Sequence, residues 1–237
     1  MACYRQSMAT QANGKPFAGR MIASERRAQL VSVAKGVFAQ LGYDAASVEE
    51  IAARAGVSKP VVYEHFGGKG GVYAAVVDRE ARVLLAMIGA RIGPDLGGRE
   101  QIMGSVMAFL DYIDADPEGF RVLTRDSPAT FGGGGIAGLL ADVANKCEEV
   151  LAGFFSRSGV SAEHAPLYAR ALIGMVVHVG AWWAQVREPA KEVVAAHLTA
   201  LAYVGLSRLP IDPLRLYDPR SPRLSARARR HQRGPAA

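Results

Sequence analysis

The segment from Ser47 to Phe66 constrains this chain more than any other. Ser47 followed three residues later by Glu50 is a capping box, a reciprocal pair of bonds that opens a helix. Val48, Ile51, Ala52 and Ala55 then repeat at i, i+3, i+4, i+7, which lays one apolar stripe along that helix. Gly56 supplies the permissive backbone that ends it, and Ser58 opens a second helix with Pro60 in its first turn. Two short helices joined by a glycine-containing turn form a helix-turn-helix. Such a pair cannot cover its own apolar face, so a third helix is required. The stretch beginning at Ser24 supplies it: Leu30, Val33, Ala34, Val37, Phe38 and Leu41 keep helical spacing up to a stop at Gly42.

After Gly68 the pattern stays helical, and no alternating strand pattern of useful length interrupts it. Helices are expected over about 71–91, 99–115, 117–125, 136–157, 162–187 and 190–208. Gly93-Pro94, Gly97-Gly98, the glycines at 132–135 and Pro189 separate them. The expected fold is all-α with about nine helices, a three-helix head carrying the helix-turn-helix on a larger helical body. Residues 1–23 read as a disordered extension, 24–70 as the head, 71–209 as the body and 210–237 as a basic, disordered tail.

A net charge of +6 invites a direct inference to nucleic acid, but its distribution does not support one. The head carries six basic against five acidic side chains, while the tail from residue 208 carries eight arginines against two aspartates. The motif, not the charge, must therefore carry any argument for DNA. Two readings stand for the tail: extra phosphate contacts that steepen salt dependence, or a solvated segment that aids solubility. Cys3 and Cys147 are too few and too far apart for a disulfide framework or a zinc site, and Cys147 continues an apolar run as a small buried hydrophobe. No phosphate loop, metal-spaced cluster or nucleophile motif points to an enzyme, and no cofactor is expected. The first 23 residues lack the apolar core of a signal peptide, and a cytoplasmic protein is expected.

One helix stands apart. From Ala171 to Val186 the chain has no full charge and is apolar nearly all round. A membrane span needs ~20 apolar residues, and this run is shorter and holds His178 and Gln185. A helix apolar on every side must be buried on every side, which in a chain this size takes a second copy.

The segment from about Arg26 to Val77 resembles the N-terminal domain of TetR-type transcriptional regulators. The matching pieces are Phe38 to Tyr43, Val48 to Ala52, Ala55 to Ser58, Tyr63 to Phe66, and Lys69. Gly70, Gly71 and Val72 depart from the pattern, standing where the family usually has helix formers and a large aliphatic. The four glycines at 67, 68, 70 and 71 then read either as a hinge or as a loose turn between head and body. The body is also weakly similar to actinobacterial regulators of lipid metabolism, around Phe120 to Leu123 and the tryptophan-bearing helix.

The resemblance implies a homodimer formed through residues 162–208, double-stranded operator DNA as partner, and a regulatory small molecule bound in the body. From the length of the apolar run, no membrane partner is expected. Lys59, Pro60 and Val61 are expected at base edges, where Lys59 would donate to guanine and Val61 or Pro60 would press on a thymine methyl. Ser47, Ser58, Tyr63, His65 and Lys69 match positions that grip phosphates. The effector is expected to be a hydrophobic small molecule, acyl-CoA-like or xenobiotic, with Met103, Met107, Phe109, Tyr112, Phe120, Phe154, Met175, His178, Trp182 and Trp183 as candidate lining residues. Ordinary core packing is the competing role for each. His178 lies four residues before Trp182, so it could orient a ligand or serve as a satisfied core histidine. A released repressor is the expected mode of action, with a ligand-modulated activator or a helical carrier without DNA binding as alternatives.

Overall fold

The computed structural model describes residues 23–93, 95–124 and 136–210, with the side chains of 136–140 left aside. The extension at 1–22, the loop expected at 126–135 and the tail from 211 lie outside these residues. Among the described residues there are nine α-helices, a short 3-10 turn and no strand. They are α1 (Ala23–Ala45), α2 (Val48–Ala55), α3 (Lys59–Phe66), α4 (Lys69–Gly89), α5 (Gly98–Ala115), α6 (Pro117–Thr124), α7 (Ile136–Ser158), α8 (Ala165–Val186) and α9 (Lys191–Ser207).

The caps of α2 form as the residues dictate, whereas Ser58 precedes α3 without a side-chain capping bond. Ser47 accepts the Glu50 N–H at 3.1 Å, and Gly56, in the left-handed region, returns its N–H to the last carbonyls of α2. Gly42 has φ 79°, so regular helix breaks there within α1, and Leu41 beside it is exposed rather than packed. Leu30, Ala34, Val37, Ile51 and Val62 are fully buried where the first three helices meet. Val72 and Val76 of α4 join them, so one apolar core continues past residue 70 and reaches Leu198 in α9. Head and body share that core. A smaller one, around Leu151, Phe155 and Ala169, ties α7 to α8.

The junction expected to be a hinge or loose turn is a tight joint. Gly67 and Gly68 do turn the chain, with φ 72° and 138°. Gly70 and Gly71, however, lie inside α4, which starts two residues earlier than its apolar pattern suggested. A Cβ on Gly71 would overlap the carbonyl oxygen of Phe66. Glycine is needed there because the last turn of α3 presses against the first turn of α4.

Within a single chain α8 is buried along one side only. Gly180 and Trp183 turn inward: a Cβ on Gly180 would strike the Phe109 ring, and the Trp183 indole donates to the Pro189 carbonyl at 2.9 Å. Gly180 therefore serves packing within the chain rather than contact with a second copy. Leu167, Ala171, Gly174, His178 and Trp182 form an outward stripe, continued on α9 by Val193, Leu201 and Val204. Counted from Ala162 to Val186, this region is long and apolar enough to cross a membrane by length and composition, although the run without charge is shorter.

Candidate nucleic-acid interface

Buried Val62 anchors α3, and its register decides which side chains point away. Ser58, Lys59, Pro60 and Tyr63 are exposed in a row at the start of the helix, with Val61 and His65 half-buried beside them. Pro60 suits the first turn because it lacks an N–H that the helix could not use there. Phe66 packs inward under the Arg27 guanidinium, 4.9 Å from its ring centre. The row is short, rigidly mounted and of the size that enters a major groove. Ser47 sits at the neighbouring helix start, where unpaired backbone N–H groups favour anions.

Two lysines behave differently from the sequence expectation. Lys69 donates to the carbonyls of Tyr43, Asp44 and Ala46 at 3.0, 3.2 and 3.1 Å, and its ammonium lies 4.5 Å from the centre of the Tyr43 ring. An ammonium has three donors, so none is left for a phosphate. Lys69 instead binds the open carbonyls at the end of α1, where a cation is favoured. Lys69→Met is therefore expected to lower stability by about 1–3 kcal/mol while leaving the salt dependence of DNA binding unchanged. A salt slope reduced by about one would return the residue to phosphate binding. Lys59 is exposed as expected but pairs with Glu49 near the start of α2 and lies 5.7 Å from the Tyr63 ring centre. That bond holds the Glu49 carboxyl below, and the Lys59 ammonium above, the usual range. Ten residues separate Glu49 from Lys59, a spacing that matches no helical repeat, so the pair has no signature in the sequence.

The candidate effector residues divide into four groups. Phe109, Tyr112 and Phe120 are buried in core contacts, with Phe109 and Phe120 edge to face at 5.9 Å; Trp183 is buried too. Phe154 and Met175 are half-buried against the two cores. His178 and Trp182 do share a face, but it points outward. Met103 and Met107 line two adjoining clefts. A cleft of about 380 Å³ between α5 and α9 has Met103, Thr199 and Tyr203 in its walls, and one of about 510 Å³ adjoins it at Arg99 and Met103. Arg91, Glu100, Gly104 and Met107 complete the second, and Arg91 is paired there with Asp111 at 2.6 Å. The surface thus grades from methionine and alanine to a charged end with two guanidinium groups and one carboxylate.

Below this lies a charged cluster that no local pattern announced. Lys35 of α1 pairs with Asp116, at the turn between α5 and α6, and with Glu80 of α4 at 3.4 Å. Glu80 is 2% exposed and accepts the Tyr112 hydroxyl at 3.1 Å, while Asp116 accepts the Gly119 N–H at 2.8 Å. Burial pushes the Glu80 carboxyl up, helped by the charge of Asp116 and opposed by Lys35. Although burial works against it, Asp116 is held below the usual range by its bonds to Lys35 and Gly119. The cluster pins the head's first helix to the body.

Comparison with known proteins agrees with this geometry. Residues 30–76 match the family described as bacterial regulatory proteins, tetR family, and residues 88–210 match a tetracyclin repressor-like C-terminal domain. The transcriptional activator FasR of Mycolicibacterium smegmatis is 32% identical over 202 residues, covering 84% of this chain and 91% of FasR. A transcriptional repressor of Streptomyces coelicolor is 32% identical over 97 residues, 41% of this chain and 47% of the repressor. A TetR-like regulator from Rhodococcus sp. RHA1 superposes with a TM-score of 0.66 at 26% identity, covering 80% of this chain and all of that one. FadR of Bacillus subtilis, solved in complex with stearoyl-CoA, has the same fold, with a TM-score of 0.65 at 17% identity and coverage of 75% and 98%.

Proposed function

The chain belongs to the TetR family of ligand-responsive, DNA-binding transcriptional regulators, and from that premise we propose that it binds a palindromic operator as a cytoplasmic homodimer. The observation that carries the docking is the exposed row Ser58, Lys59, Pro60 and Tyr63 at the start of a helix fixed from behind by Val62. Two such helices enter successive major grooves about 34–36 Å apart. The outward apolar stripe of α8 and α9 supports the dimer, because a contiguous apolar surface of that kind favours a partner of like composition. A second copy covers it as a four-helix bundle, with Trp182 at the seam.

The effector we propose is an amphiphile with an acyl chain and an anionic head. Met103 and Met107 suit the chain, and Arg99 suits the head, with Arg91 held beside it by Asp111 at 2.6 Å. Stearoyl-CoA, the ligand of the similarly folded FadR, has both features. Repression by occupancy is one sense of regulation. The other is activation, favoured by a likeness that spans 91% of a protein named as an activator.

Fluorescence anisotropy with the protein's own upstream DNA tests the docking. Lys59→Ala and Tyr63→Ala are each expected to weaken specific binding by roughly tenfold or more while sedimentation still shows a dimer. Wild-type affinity in both variants would place the interface elsewhere.

A further inference from the structure

A lysine at the tip of a DNA-reading helix has a selectivity problem. Its ammonium binds any phosphate at least as readily as a base, because charge alone does not distinguish them. Here that lysine carries its own carboxylate. Lys59 and Glu49 come from different helices, and both side chains are exposed on the surface that α3 presents. The pair is neutral overall, consistent with a head of nearly balanced charge.

The donor and acceptor pattern of the pair is informative. In the major groove a G·C base pair offers two acceptors, guanine N7 and O6, followed by one donor, the cytosine N4 amino group. Lys59 uses one N–H on Glu49 and keeps two for acceptors. A carboxylate has about four acceptor positions, so Glu49 retains capacity beyond its bond to Lys59. An ammonium beside a carboxylate is therefore the complement of guanine beside cytosine. A·T pairs lack it: they present an acceptor, a donor, then an acceptor with a methyl group.

We propose that Lys59 and Glu49 read one G·C base pair as a unit, Lys59 donating to guanine O6 or N7 and Glu49 accepting from cytosine N4. Glu49 is thus a specificity-determining residue, and it suppresses capture of Lys59 by phosphate. The proposal rests on the docking of α3 in the major groove given above.

Selection from a random duplex library with the full-length protein, followed by anisotropy at two salt concentrations, tests it. The wild type should select a G·C pair at one position of each half-site, and converting that pair to A·T should weaken binding roughly tenfold. Glu49→Ala should erase the cytosine part of this preference, raise affinity for random duplex, and steepen the salt slope by about one. Glu49→Gln should keep the base preference, because its amide oxygen still accepts from N4, while its random-duplex binding follows the alanine variant. Both side chains are exposed, so unchanged thermal melting should confirm that the fold is intact. The proposal is overturned if Glu49→Ala keeps both the wild-type preference and the wild-type random-duplex affinity. It is equally overturned if Glu49→Gln loses the preference as fully as alanine does. A wild type that selects no sequence at all removes the docking itself, a failure distinct from either.

Discussion

Replacing Lys35 with methionine is expected to destabilise the protein by about 3–5 kcal/mol, the usual cost of removing one partner from a buried ion pair. The methionine fills similar space but leaves Glu80 and Asp116 facing each other with no cation between them. Urea unfolding followed by circular dichroism measures the loss. Its pH dependence separates electrostatics from packing. Glu80 already has its carboxyl raised by burial, so its contribution is fullest below the unfolded value and declines as pH rises through the folded one. Without Lys35 the Glu80 carboxyl rises further, and that of Asp116 rises from its depressed position. The deficit should therefore be largest near neutrality and shrink as pH falls toward the ordinary glutamate value of about 4.3. A deficit independent of pH would assign the effect to packing alone.

Gly71→Ala is expected to cost about 1–3 kcal/mol or more, although helix propensity alone predicts a gain of about 1 kcal/mol. The added methyl group meets the backbone carbonyl of Phe66, which cannot rotate away as a side chain could. The same substitution at Gly36, within α1, is the control. Its Cβ would lie 3.7 Å from the Glu118 carboxylate, an ordinary contact, so propensity should prevail and stability should rise by roughly 0.5–1 kcal/mol. Operator binding should fall with Gly71→Ala, because α3 is mounted on that joint, and should survive Gly36→Ala. Equal stability in the two variants would mean that the joint opens without cost.

These cases mark what could be read from the residues and what could not. The head was legible because its signals are local: Ser47 with Glu50, Gly56, and an apolar repeat that is buried at each of Val48, Ile51, Ala52 and Ala55. The start of α4 was misplaced because Gly70 and Gly71 were judged by propensity, and a close approach between helices overrode it. Lys35, Glu80 and Asp116 escaped notice because ion pairs between distant elements leave no period in a sequence. α8 differs in kind. A helix apolar on all sides gives no clue to which side faces in, so the residues leave open which of Trp182 and Trp183 faces the body; the structure turns Trp183 inward and His178 with Trp182 outward. Phe109, Tyr112 and Phe120 were aromatic for the sake of the core.

The three carbonyls held by Lys69 have a further consequence. Lys69 reaches back 23 residues to Ala46, so one ammonium fastens both ends of the segment that contains α2 and α3. The segment is in effect a ring, closed without a covalent bond, and its internal helices cannot separate while the closure holds. Closing a loop of this length removes entropy that a free segment would keep. The DNA-reading unit is thus a rigid cartridge set on the end of α4. A shift in α4 changes where the cartridge points, not how it is shaped.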